Sequence, residues 1–184
     1  MDIDIDFADR QLALDVLKNT PARLKNKKHN TGVYFHNVPT DPFTGLCTVE
    51  HTKADEAGFF KLDMLNVSIY KDVKDDDHLT HLIERETIWQ LLEHKDFVDK
   101  VFHLSGHDML LKQLKPQSVE QLAAALAIIR PAKRHLANKP WPYIMEHVWL
   151  KPKNNDYYFK KAHAVSYAMA VIVHINLICE QLGY

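Results

Sequence analysis

The chain has 184 residues, 46% of them hydrophobic, and 23 Lys and Arg against 24 Asp and Glu give a formal charge of −1 at pH 7. The length suits a single domain, 1–184, with a sizeable core, and the balanced charge excludes a simple polycation, so any contact with a polyanion must come from local patches. Cys47 and Cys179 stand far apart without CxxC spacing, and neither a signal peptide nor an apolar run of about eighteen residues is read, so a reducing, cytoplasmic setting without a membrane partner is expected.

The first element is an alternating stretch in which Asp2, Asp4 and Asp6 interleave with Ile3, Ile5 and Phe7. Successive side chains of a strand point to opposite faces, so the acids share one face and the apolar residues the other. Arg10 to Leu24 then predicts a short helix ending near Pro21, with QLALDVL packed into the core, followed by a basic loop. GVYFHNV, GLCTVEH and GFFKLDMLNV predict three further strands, separated by Pro39, Pro42 and Gly45 and by the polar KADEAG. Together these strands make a small mixed or antiparallel sheet over residues 1–74.

Apolar residues recur at helical spacing from about Asp75, beginning with LTHLIERETIWQLLEH, and helices are expected over 75–184. Ser118 to Ile129 reads as a helix with Ser118 as N-cap and Pro131 beyond its end. HLANKPWPYIMEHVWLKPKNND, with its prolines, allows only short helices, and an apolar helix from about Ala162 to Leu182 closes the chain. Sheet first and helices after describe an α+β fold with one core.

Charge is unevenly placed. Arg23, Lys25, Lys27 and Lys28 form one basic island, Arg130, Lys133, Arg134 and Lys139 a second, Lys151, Lys153, Lys160 and Lys161 a third. Histidine pairs at 78 and 81 and at 103 and 107 have no accompanying cysteine and no HExxH context, which argues against zinc. In GFFKLDMLNV, Asp63 faces the same way as Lys61, so a sheet aligning this strand with the first would bring three carboxylates together. Hard divalent cations take carboxylate oxygens, and two ions about 3.5–4 Å apart can activate a hydroxyl and stabilise a departing phosphate oxygen. Repelling acids would then be explained by a metal-bound state.

Five segments in order resemble the catalytic core of the bacterial replicative DNA polymerase III alpha subunit, the C family of DNA polymerases. DIDIDFADR resembles the palm segment with the first two catalytic aspartates, which fall on Asp4 and Asp6, while Asp2 lies beside the site. KKHNTGVYF is similar to a lysine–histidine–small–glycine segment near the incoming triphosphate, here Lys28 and His29. GFFKLDMLNV resembles the strand with a lysine and the third catalytic aspartate, here Lys61 and Asp63. The long stretch from VFHLSGHDML to the Arg130–Pro131 pair is similar to the passage from palm into fingers, and FKKAHAVSYAMA to a segment placing Lys161, His163 and Tyr167.

The resemblance implies a polymerase-beta-like nucleotidyltransferase palm with two Mg2+ or Mn2+ ions on Asp4, Asp6 and Asp63. It further implies nucleotide contacts from Lys28, His29, Lys61, Arg130, Lys161, His163 and Tyr167, and primer-template DNA and deoxynucleoside triphosphates as partners. Arg23, Lys25, Lys27, Lys133 and Arg134 are the expected nucleic-acid contacts, and a bacterial or virus-infected bacterial cell the expected setting. The family's glycine–serine element would stand before Met1, and about two dozen residues between Arg134 and Phe159 replace more than a hundred in the family. Three readings follow: a minimal DNA polymerase; one half of a split enzyme, completed by a second polypeptide or by self-association; and a non-catalytic accessory or decoy of the same fold.

Overall fold

The computed structural model describes residues 3–152 and 157–184; Asp2 and Lys153 therefore lie outside the described residues. The fold is mixed α+β, and the chain divides into two compact units, Met1–Lys71 and Asp72–Tyr184. Their apolar clusters are separate, one around Ala22, Tyr34, Cys47 and Ala54, the other built from helices of the second half.

In the first unit β1 (Ile3–Phe7) is followed by α1 (Arg10–Val16), β2 (Thr20–Leu24), β3 (Lys27–Tyr34), α2 (His51–Glu56) and β4 (Leu62–Asn66). Among the described residues the strands form one sheet in the order β1-β4-β3-β2, with β1 parallel to β4 and the other pairs antiparallel. The expected helix Arg10–Leu24 is cut short. Asp9 caps α1 by accepting from Gln11 N at 3.1 Å, and the chain leaves helical geometry at Leu17. Pro21 then lies in β2, at the edge of the sheet, where a missing N–H is tolerated.

α1 does not bury the residues expected in the core: Leu12 is 71% exposed and Val16 83%, while Arg10 ties the helix to β4 through the Met64 carbonyl and the Asn66 side chain. The expected basic loop is a hairpin, with Leu24 opposite Lys27 and Lys25 at φ 55° in the turn, the positive angle that a two-residue connection demands. GLCTVEH makes only the isolated bridges Thr40↔Cys47 and Arg23↔Glu50. KADEAG, read as a connector, contributes to α2 because the Glu50 carboxylate caps that helix through Thr52 N.

The second unit contains α3 (Asp76–Glu84), α4 (Lys95–Val98), α5 (Asp108–Leu114), α6 (Val119–Ile128), α7 (Trp141–His147) and α8 (Lys161–Leu182), with 3-10 turns at Trp89–Glu93 and Pro131–Leu136. The periodic LTHLIERETIWQLLEH does not run as one helix. α3 ends at Arg85, where buried Asn176 of α8 donates to the carbonyls of Leu82 and Arg85 and so satisfies the helix end. Ser118 caps α6 as expected, accepting from Gln121 N at 3.2 Å.

α6 and α8 form the middle of this unit, and α8 also packs on α3. Every residue from Leu122 to Ile128 is buried. The expected absence of a long apolar run does not hold for α8: by length and composition it could cross a membrane, and 61% of its most apolar window is buried inside the structure. A helix covered on several faces needs apolar residues on all of them.

Candidate active site

The parallel pairing of β1 with β4 sets Ile3 opposite Leu62, Asp4 opposite Asp63 and Asp6 opposite Leu65. Residues opposite one another in register share a face, so Asp4, Asp6 and Asp63 stand on one side of the sheet. β4 is an interior strand, and Asp63 is only 8% exposed. β1 is an edge strand, which leaves Asp6 far more open to solvent.

Three side chains gather on Asp63. Lys61 donates its ammonium to Oδ2, and Thr31 donates its hydroxyl to Oδ1 at 2.6 Å. His29 stands near by, with Nδ1 3.7 Å from Oδ1. Burial opposes the charge on Asp63, but the hydrogen bonds from Lys61 and Thr31 and the charge of Lys61 outweigh it and hold the carboxyl below its ordinary pKa. Asp6 moves the other way: burial first, then the charge of Asp4, push its carboxyl up. Burial and Asp6 likewise push the Tyr70 phenol up.

His29 is fixed by main-chain donors. Gly32 N donates to Nδ1 at 2.9 Å and Thr31 N at 3.3 Å, so Nδ1 is the unprotonated nitrogen and Nε2 carries the proton. Burial and then the charge of Lys61 lower its pKa, which agrees with a neutral ring. Gly32 is required here by close approach: a Cβ at this position would lie 2.6 Å from Lys61 Cδ and 3.0 Å from His29 Nδ1. The absence of a side chain lets the lysine stem cross the strand and reach Asp63.

Carboxylate oxygens are the donors that Mg2+ and Mn2+ prefer, so the acids on this face fit such ions in kind and in strand position. The carboxylate of Asp63 is engaged by Lys61 and Thr31, and among the described residues no set of three His, Cys, Asp or Glu side chains converges as a preformed metal cluster. Lys61 and Thr31 thus occupy one acceptor site on each oxygen of Asp63. Lys28, Lys27 and Lys25 extend from the hairpin as exposed side chains. Arg23 is used structurally, donating to the carbonyls of Lys25 at 2.7 Å and Thr48 at 3.0 Å.

The remaining expected residues lie in the helical unit. The Arg130 guanidinium stands 5.4 Å from the Phe159 ring centre, and its buried Nε has no hydrogen-bond partner among the described residues. Phe159 also stacks with His163 at 6.4 Å and meets Tyr167 at 5.4 Å, so Arg130, His163 and Tyr167 surround one ring. Lys161 is exposed in the first turn of α8, and Arg134 is exposed while donating to the Ile129 carbonyl at 3.0 Å. Lys133, expected on a nucleic-acid face, is 5% exposed and donates to the carbonyls of His147 at 3.0 Å and Leu150 at 2.6 Å. Its ammonium closes the end of α7, and burial lowers its pKa.

Comparison with family models, curated proteins and solved structures returns no match. The geometry therefore carries the functional reading. Thr31 and Phe159 are the participants that sequence reasoning missed. Thr31 stands beside Gly32 in the quoted KKHNTG segment, so its hydroxyl was legible there as a candidate donor; Phe159 opens the quoted FKKAHAVSYAMA segment, four and eight residues before His163 and Tyr167, but nothing local marks its contact with Arg130, 29 residues away.

Of the histidines considered for zinc, His78 is paired with Glu180 at 2.8 Å. His103 packs edge-on against Tyr167, with ring centres 4.7 Å apart.

Proposed function

We propose that the chain is a nucleotidyltransferase of the palm type, acting as a minimal C-family-like DNA polymerase on primer-template DNA and deoxynucleoside triphosphates. The observation that carries this reading is the register placing Asp4 directly opposite Asp63, with Asp6 on the same face. Like charges opposite one another in a sheet are unfavourable, and a function that gathers cations accounts for keeping them. When bound, a pair of Mg2+ or Mn2+ ions supplies activation of the primer hydroxyl and neutralisation of the triphosphate.

The chain's own residues have distinct tasks in this account. Asp4, Asp6 and Asp63 hold the ions. Lys61 neutralises Asp63 in this structure and, with a cation on Asp63, would be free to meet a phosphate oxygen. His29, neutral and anchored through Nδ1, presents Nε2–H as a donor in a fixed direction. Lys28 is a flexible phosphate contact beside it. In the helical unit Arg130 offers a guanidinium whose buried Nε has no acceptor among the described residues, which fits an anionic ligand.

The split-enzyme reading has an observation of its own. β1 is an edge strand, Ile5 is 38% exposed, and Leu12 and Val16 form an open apolar pair one helical turn apart. A second polypeptide that adds to this edge would cover them.

Extension of a labelled primer-template at low salt with Mg2+ or Mn2+ tests the function. Wild type extends the primer, and Asp6→Asn, an exposed change that relieves repulsion with Asp4, folds normally and does not. Extension by both proteins, or by neither, overturns the stand-alone polymerase.

A further inference from the structure

The helical unit holds a cleft of about 610 Å3 between the 3-10 turn Pro131–Leu136, α7 and the segment that follows α7. This volume lies within the range of about 300–1,000 Å3 typical of small-molecule sites. Tyr143 and His147 form one part of its lining, with rings stacked at 3.9 Å and only 10° from parallel. The pair is built into the helix: His147 Nδ1–H donates to the Tyr143 carbonyl at 2.9 Å, which leaves Nε2 as an acceptor. Tyr143 remains 42% exposed.

Basic groups accompany the rings. Lys139 Nζ stands 5.7 Å from the Tyr143 ring centre, while His135 and Lys151 line the cleft. Among the described residues no carboxylate lines it; Glu146, 3.9 Å from His147, is turned outward and largely exposed. Lys133 lines the cleft as well, and its ammonium binds the carbonyls of His147 and Leu150, fixing the end of α7 to the segment beyond it. The cleft therefore has a pinned frame, a flat aromatic surface and basic groups, with no carboxylate among its described lining residues.

We propose that this cleft binds a nucleotide, taken either free or as one residue of a single strand. The base lies against the Tyr143–His147 pair, and its phosphate is met by Lys151 with Lys139 and His135. Stacking on an aromatic side chain combined with lysine contacts to the backbone is the means by which single strands are held without sequence preference. Duplex DNA is a poor occupant because its bases are already stacked and paired. The inference extends the nucleic-acid reading of the protein but stands on different residues from the acidic face, so either can fail alone.

The test is fluorescence anisotropy of a labelled twenty-residue oligothymidylate with the full chain at low salt in EDTA, where metal chemistry is silent. Unlabelled oligothymidylate, thymidine monophosphate and duplex of equal length serve as competitors. Tyr143→Ala weakens binding about tenfold, and Lys151→Gln, an exposed change that leaves the fold intact, reduces the slope of log affinity against log salt by about 0.7. Phe43→Ala, in the other unit and 96% exposed, binds as wild type. Competition by the monophosphate as effective as by the oligomer assigns the site to free nucleotides; a preference for the oligomer assigns it to single strands. Absence of binding, displacement of the Tyr143-dependent binding by duplex better than by the oligomer, or affinity indifferent to both Tyr143→Ala and Lys151→Gln overturns the proposal.

Discussion

Asp63 is a structural carboxylate, and in the proposed function a cation ligand as well. It is buried on an interior strand, and its charge is maintained by Lys61 and Thr31. Removing one member of a buried ion pair leaves the other uncompensated, at a cost of about 3–5 kcal/mol when burial is complete. The side chains here retain 11% exposure, so Asp63→Asn should cost about 2–3 kcal/mol in metal-free buffer. The same change in a Lys61→Met background should cost clearly less, because no orphan ammonium remains. Chemical denaturation of the four proteins gives the coupling directly; equal costs in both backgrounds would contradict the ion pair. Gly32 is the second sensitive position. Gly32→Ala inserts a methyl group 2.6 Å from Lys61 Cδ and should cost about 1–3 kcal/mol, as overpacking does, while moving the His29 imidazole resonances in an NMR spectrum.

At the scale of elements, two helices have opposite roles. α1 leaves Leu12 and Val16 in solvent, whereas α6 buries Leu122 completely. Replacing both Leu12 and Val16 with Gln should change stability by less than about 0.5 kcal/mol, and Leu122→Ala should cost about 2–5 kcal/mol. A large loss from the α1 double variant would mean that this face is covered. α3 and α8 are joined by a polar clasp in which Glu180 accepts from Lys74 at 3.0 Å and pairs with His78 at 2.8 Å. The hydrogen bonds from His78 and Lys74 lower the Glu180 pKa from 4.5 to about 2. A depressed carboxyl stabilises the fold above its unfolded pKa and loses that contribution as pH falls from about 4.5 towards 2. Glu180→Gln should therefore lower Tm at pH 7 but make little difference near pH 2, which a pH series of thermal melts will read; an equal loss at both pH values would contradict the clasp.

Over the whole molecule, the sequence revealed elements whose signals are local and hid those decided by tertiary contacts. The alternation from Ile3 to Phe7, the Ser118 cap and the apolar run ending at Leu182 each carry their own pattern, and each element stands close to where that pattern puts it. β2 and α2 were missed because Pro21 is tolerated only at a sheet edge and because α2 depends on a Glu50 cap. The break after α3 was hidden because Asn176, 91 residues beyond Arg85, supplies the capping bonds. At the acidic face the residue types and the lysine two positions before Asp63 were legible. The claim of Thr31 on Asp63 and the burial of Lys133 were not, since both arise from packing between segments distant in the chain. The central claim is that the acids of β1 and β4 exist to hold divalent cations. It is tested most directly by titrating Mn2+ into the protein at low salt and counting bound ions by electron paramagnetic resonance. The account predicts saturable binding by wild type that is weakened in Asp6→Asn and abolished in Asp63→Asn; binding unchanged by both substitutions, or none by wild type, would contradict it.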